Sequence, residues 1–182
     1  VLQGDLGYSY VTGKPVLTAI LERLPATLIL SLSSLFLILC ITFPLGLLSG
    51  YKKDSWFDHV VTVFSFIGLS IPSFWLGLML ILLFALQWDL FPTSGFMDPL
   101  MILENPFKQA MNVGYHMVLP LMTILVGGIA GLTRYHRFGI IKILGQDYIK
   151  AARARGLSER VILFKHALKN AMLPIITILG LD

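Results

Sequence analysis

The sequence predicts an all-α protein built as a bundle of transmembrane helices. The first reason is composition: 56% of the 182 residues are hydrophobic, only 13% are charged, and the mean hydropathy is +0.80. These values lie well outside those of soluble domains. The second reason is that the apolar residues form long uncharged stretches, separated by short charged segments.

The charge and the cysteine content exclude several classes of function. The net charge is +4, but the basic residues adjoin apolar stretches, so they indicate membrane topology rather than a nucleic-acid partner. A single cysteine, Cys40, excludes an internal disulfide and a cysteine-based metal cluster. The four histidines fit no metal-ligand spacing, so no metal site is predicted; they are His59, His116, His136 and His166.

Three stretches are long enough to cross a hydrocarbon core of about 30 Å. Residues 24–50 and 60–88 carry no charge, and residues 113–133 contain His116 as the one group that titrates near neutral pH. These stretches are the predicted first, second and third spans. Residues 171–181 begin a further apolar stretch that is too short to cross.

The distribution of lysine and arginine predicts the orientation. Residues 51–59 and the basic stretch 134–170 should face the cytoplasm, whereas residues 89–112 contain Lys108 as their one basic residue and should face outward. Residues 1–23 should then form an external segment, and residues 24–182 the transmembrane domain. An outward start requires either a translocated N-terminus or an earlier span before this sequence, and the earlier span is the expectation.

Within the external segment, Val16, Ile20 and Leu24 recur at nearly helical spacing, with Glu22 and Arg23 on another face. This pattern predicts an amphipathic helix on the outer membrane surface, after which the chain turns inward. The alternative is a helical lead-in without a role of its own.

Proline and glycine residues occur within each of the predicted spans. Pro44, Pro72 and Pro120 remove backbone donors and should bend their helices, which suggests a bundle around a cavity. Two glycine pairs, 46/50 and 127/131, have the four-residue spacing that lets helices approach closely. The alternative is that this spacing occurs by chance.

The basic segment, residues 147–170, has the pattern helix, glycine, helix. Asp147 is suited to be an N-cap, and Gly156 can take the left-handed conformation that commonly ends a helix. Ser158 can then cap a second helix, with Glu159 near its positive end.

Three interpretations compete for the basic segment. It could solvate a loop and bind anionic lipid heads, or form a helix-turn-helix for DNA, which the flanking spans make unfavourable. In the third, the first helix is a rigid knob that enters another protein. Ala151 and Ala152 would allow close approach, and Arg153 and Arg155 would meet carboxylates.

The string "YIKAARARGLSERVILFKHALKNAMLP" resembles the cytoplasmic signature loop of ATP-binding-cassette importer permeases. That loop has Glu-Ala-Ala, three residues and Gly, and here Ala151, Ala152 and Gly156 match it. Lys150 replaces the glutamate and Lys169 stands where many members have proline, so contacts specific to those two residues are not carried over.

The resemblance covers nearly the whole chain and extends to one branch of the permeases. "GDLGYSY", "ILERLPATL" and "SIPSFWLG" are similar to the first of the two paired membrane subunits of dipeptide, oligopeptide and nickel permeases. Compared with a usual member, one N-terminal span and the last part of the domain are expected to be missing.

The resemblance implies a permease subunit of the prokaryotic cytoplasmic membrane that forms half of a translocation pathway. Its expected partners are a second permease subunit, two cytoplasmic ATPases, an extracytoplasmic solute-binding protein and membrane lipid, without nucleic acid. The basic segment would contain the ATPase-coupling residues Asp147, Lys150, Ala151, Ala152, Arg153, Arg155, Gly156, Leu157 and Ser158.

The cargo and the chemistry are less well defined by the sequence. Peptide is the expected cargo, nickel or another small solute is the alternative, and a non-transport membrane scaffold is a remote alternative. No phosphate-binding GxxxxGK[ST] motif is present, so ATP and Mg²⁺ are expected on the partner subunits and no cofactor or catalytic residue on this chain. Substrate-contacting residues are not predicted, and His116 is interpreted as an interfacial hydrogen-bonding residue.

Overall fold

The computed structural model describes residues 6–179, and no sheet occurs within that range. The helices are α1 (Val16–Tyr51), α2 (Trp56–Ser70), α3 (Ser73–Leu80), α4 (Pro106–Leu144), α5 (Asp147–Ala154), α6 (Glu159–Val161) and α7 (Lys169–Leu179). A π-helical turn continues α3 over Ile81–Gln87, and another joins α6 to α7 over Ile162–Leu168. A 3₁₀ helix over Pro99–Leu103 precedes α4.

The first helix is longer than its predicted span. α1 has 36 residues, about 54 Å at 1.5 Å per residue, and it continues through Pro25 and Pro44 without ending. The lead-in residues are therefore the first turns of α1, and the expected turn between the lead-in helix and the first span was wrong. Lys14 and Glu22 pair at 2.7 Å beside the start of this helix.

The predicted second span is divided at Pro72. α2 ends at Ser70, and α3 with its π-helical turn leaves at 91° to α2. Proline lacks an amide hydrogen, and the residue before it disfavours the helical region, so the helix stops here rather than bending gently. By length and composition α1 and α4 can each cross a membrane, and the bent pair supplies a third crossing if it counts as one.

α1 and α4 pack side by side in the same direction. Three glycines at this interface lie so close to the other helix that an added Cβ would collide with a side chain there. The pairs are Ile38 with Gly128, Gly46 with His136, and Gly50 with Ile140. The residue numbers differ by 90 in every pair, so the two helices are parallel. The intervening chain must therefore return to the starting end, and residues 51–59 lie at the same end as the basic segment, as the charge distribution predicts.

The glycine predictions are confirmed in part. Gly46 and Gly50 are buried and lie against α4. Gly127, however, has no heavy atom within 4 Å of an added side-chain carbon, and Gly131 meets Leu69 of α2 at 3.7 Å. On α4 the close contact with α1 is made by Gly128 instead.

The third span also extends beyond its predicted limits. α4 has 39 residues, and its continuation to Leu144 includes eleven positions that were assigned to the cytoplasmic loop. At this end Leu47, Ile140, Ala167 and Ala171 form a buried core between α1, α4, the second π-helical turn and the start of α7. The basic segment is anchored on that core.

Candidate functional site: the basic segment

The first helix of the basic segment begins where the sequence predicts, with a different cap. Gln146 occupies the N-cap position of α5, and its carbonyl oxygen accepts from the amides of Ile149 and Lys150 at 3.1 and 3.2 Å. Asp147 is the first helical residue and makes no capping hydrogen bond, so its assignment as N-cap was wrong. Its charge still lies at the positive end of the helix dipole.

Gly156 forms the predicted corner. Its φ of +78° is in the left-handed region. The Gly156 amide donates to the Arg153 carbonyl at 2.9 Å, and the Leu157 amide donates to the Ala152 carbonyl at 3.2 Å. These two bonds constitute a Schellman motif, in which a left-handed residue satisfies the last carbonyls of a helix. The motif fixes the direction in which the chain leaves α5.

An ion pair crosses the same corner. Arg153 Nε and Nη2 donate to the two carboxylate oxygens of Glu159 at 2.8 and 3.2 Å, which joins α5 to the first residue of α6. The hydrogen bond from Arg153 lowers the pKa of the Glu159 carboxyl group and raises that of Arg153. Arg153, expected to meet a carboxylate on another protein, thus has a partner within its own chain.

One side of α5 holds it to the bundle and the other is exposed. Ile149 is completely buried, and Tyr148 accepts a hydrogen bond from the Asn170 amide at 3.0 Å. On the opposite face Ala151 is exposed one turn after Asp147, whose side chain pairs with that of Lys150 at 2.8 Å. A methyl group at that position lets another backbone approach closely.

The remaining predicted coupling residues lie around the corner. Ala152 and Leu157 are half-buried on the inner side, so the exposed face contains one of the two alanines. Arg155 is exposed and forms no ion pair with any residue in the described range 6–179. Ser158 precedes α6 as expected, but its carbonyl, not its side chain, accepts from the Ile162 amide at 3.1 Å.

A buried polar cluster at the same end of the bundle was missed from the sequence. The carboxylate of Asp58, which is 1% exposed, accepts from Ser49 of α1 and from the guanidinium of Arg137 of α4. The stretch "SWFD" was the one available signal. Its Ser55 side chain accepts the Asp58 amide at 3.3 Å, as in a helix-starting capping motif.

The histidines remain separate in the structure. His116 Nδ1 lies 2.9 Å from the Asn112 carbonyl oxygen, the hydrogen bond expected of an interfacial residue. His136, assigned from sequence to a loop, is instead buried between α1 and α4, with its ring edge against Phe43. Among the described residues no three histidine, cysteine or acidic side chains come together in a metal-ligating group.

Long apolar helices and parallel packing through glycines define a polytopic membrane protein, with a basic helix anchored at one end. Residues 42–182 match the family described as the inner membrane component of binding-protein-dependent transport systems. The chain therefore belongs to that family of membrane permeases, and the resemblance seen in the sequence is confirmed.

Proteins similar to this chain include permeases that are named for peptide transport. The chain is 45% identical over 182 residues to the oligopeptide transport system permease protein AppB of Bacillus subtilis (strain 168). It is 34% identical over 198 residues to the dipeptide transport system permease protein DppB of Escherichia coli (strain K12). In both comparisons 100% of this chain is matched, but 56% and 58% of the relative, so the chain spans little more than half of their length.

Proposed function

We propose that this chain is part of a permease subunit of an ATP-driven importer of peptides. The subunit would form half of the translocation pathway with a second permease subunit. Two cytoplasmic ATPases would bind ATP and Mg²⁺ and hydrolyse the nucleotide, and an extracytoplasmic binding protein would deliver the cargo. The names of the relatives support peptides over nickel as the cargo.

The geometry of the basic segment is the observation that carries this proposal. α5 presents an exposed face that includes Ala151, and it is attached to the bundle by the completely buried Ile149. The Gly156 corner and the bidentate ion pair between Arg153 and Glu159 fix the angle between α5 and the chain that follows it. A short helix held at both ends can be pushed by a partner without unfolding, as mechanical coupling to an ATPase requires.

A non-transport scaffold and a lipid-binding loop are less well supported. Binding to anionic lipid heads requires positive charge but no fixed corner, because electrostatic attraction to a membrane surface depends on charge density. Two of the basic side chains, Lys150 and Arg153, are moreover engaged with Asp147 and Glu159. These two charges are partly compensated within the segment.

The test is ATP-dependent peptide uptake by the full-length subunit, assembled with its partner subunits in proteoliposomes. A β-branched residue at a positive φ is strongly disfavoured, whereas asparagine tolerates that region. We expect Gly156→Val to abolish uptake and Gly156→Asn to retain most of it, since open space surrounds the position. Equal uptake by the two variants would contradict a conformational role for the corner.

A further inference from the structure

Four hydrogen bonds converge on one buried carboxylate where α1, α2 and α4 meet. Asp58 Oδ1 accepts from Ser49 Oγ and from Arg137 Nε, both at 2.5 Å. Its Oδ2 accepts from Arg137 Nη2 at 2.6 Å and from the Asp54 amide at 2.9 Å. The Arg137 side chain is 14% exposed and that of Asp58 1%.

The chemistry of this cluster fixes geometry in a way that apolar contacts do not. A guanidinium that donates two parallel bonds to a carboxylate defines both distance and angle. Removing either partner of a buried pair leaves an uncompensated charge, so the two groups are held together. By contrast, the approach of Gly68 on α2 to Ala130 on α4 is apolar and carries no such directional requirement.

The cluster lies on the route from the basic segment to the bent pair of helices. Arg137 is on α4 seven residues before Leu144, the last residue of that helix, or about 10 Å along the axis, and α5 begins three residues later at Asp147. Asp58 is in the first turn of α2, which leads to the break at Pro72. The Asp54 amide reaches Asp58 from a residue at φ +64°, so the short turn between α1 and α2 is tied to the same carboxylate.

We propose that Asp58 and Arg137 are positioning residues that transmit movement of the basic segment to α2. The inference rests on the proposed function, because it assumes that an ATPase moves α5. With the pair intact, the ends of α1, α2 and α4 move as one unit. With the pair broken, α4 moves without α2, and ATP is hydrolysed without transport.

The experiment measures ATP hydrolysis and peptide uptake in parallel with the complete transporter in proteoliposomes. Arg137→Lys is the most informative variant, because it keeps the positive charge but loses the two parallel hydrogen bonds of the guanidinium group. Asp58→Asn removes the charge of the acceptor, and the double variant tests whether the two positions act together. Lys53→Gln is the matched control, since it removes a charge from the same turn and breaks an exposed pair with Asp54 at 3.7 Å.

We expect the ATPases to copurify with every variant. Uptake per ATP should fall about 2- to 30-fold in Arg137→Lys and Asp58→Asn, the range for residues that modulate coupling between sites. The double variant should lose no more than the worse single variant, and Lys53→Gln should match the wild type.

Wild-type uptake per ATP in Arg137→Lys would overturn the inference. Loss of the ATPases from both single variants would also overturn it, because the pair would then be needed for assembly rather than transmission. Failure of the proposed function would look different: the wild-type complex itself would show no ATP-dependent uptake.

Discussion

One methyl group at Gly46 should separate α1 from α4. The added carbon of Gly46→Ala would lie 2.6 Å from His136 Nδ1, 2.8 Å from its Cβ and 2.9 Å from its Cγ. The His136 ring is completely buried and cannot turn into open space. Relief therefore requires movement of the helices.

Gly127 supplies the comparison from which a magnitude follows. An added carbon at Gly127 meets no heavy atom within 4 Å, yet Gly127→Ala gains the same helix propensity as Gly46→Ala. The difference in free energy of unfolding between the two variants therefore reports the packing contribution alone. Overpacking a close contact costs about 1–3 kcal/mol. At about 2–4 °C per kcal/mol for a domain of this size, the Tm values should differ by about 2–12 °C.

The assay is thermal unfolding of the full-length subunit in mild detergent, with Gly46→Ala, Gly127→Ala and His136→Ala measured side by side. The double variant Gly46→Ala/His136→Ala should be less destabilised than the sum of its two single variants, because removing the ring makes room for the methyl group. Equal Tm values for the two glycine variants, or strict additivity in the double variant, would refute the packing register of α1 on α4.

Two further predictions concern orientation and the corner. In a Cys40→Ala background, a cysteine at Ser94 should react with an impermeant maleimide from outside intact cells and one at Lys52 should not; the reverse would invert the topology. Glu159→Gln should reduce uptake modestly at low salt, with the difference shrinking as salt screens the exposed pair with Arg153. The pKa of Glu159 is lowered in the folded state, so its contribution to stability is present above the unfolded pKa and lost as pH falls through the folded value. Acidification of the wild type should therefore mimic the variant, and a defect that persists unchanged at high salt would contradict an electrostatic role.

Local chemistry made much of the structure predictable. The apolar stretches, a disturbance of the second span at Pro72 and the left-handed corner at Gly156 depend on properties of single residues or short windows. The predicted bend at Pro72 is, however, a 91° break between two helices. The cap of α5 was misassigned by one residue, because Asp147 is the better capping residue by type but lies in the first turn, where its charge also suits the helix dipole. The lengths of α1 and α4 were underestimated, since a helix can continue beyond the hydrocarbon core while its sequence becomes polar.

Contacts between residues far apart in the sequence could not be predicted. Asp58 and Arg137 are 79 residues apart, and nothing local to either residue indicates the other. The register that brings Gly46 to His136, and Gly128 rather than Gly127 to α1, depends on how two helices rotate about their axes. A four-residue spacing of glycines cannot specify that rotation.

Site-directed crosslinking from α5 to an ATPase tests the central claim most directly. In a Cys40→Ala background of the full-length subunit, a cysteine at the exposed Ala151 would be labelled in native membranes with a maleimide that carries a photoreactive benzophenone. On irradiation the benzophenone inserts into a neighbouring C–H bond, so no cysteine is needed on the ATPase. Ser94→Cys, within the stretch 89–112 that is predicted to face outward, is the control. The account predicts a crosslinked ATPase from position 151 and none from position 94. No ATPase adduct at position 151, in membranes where the ATPases copurify with the subunit, would contradict it.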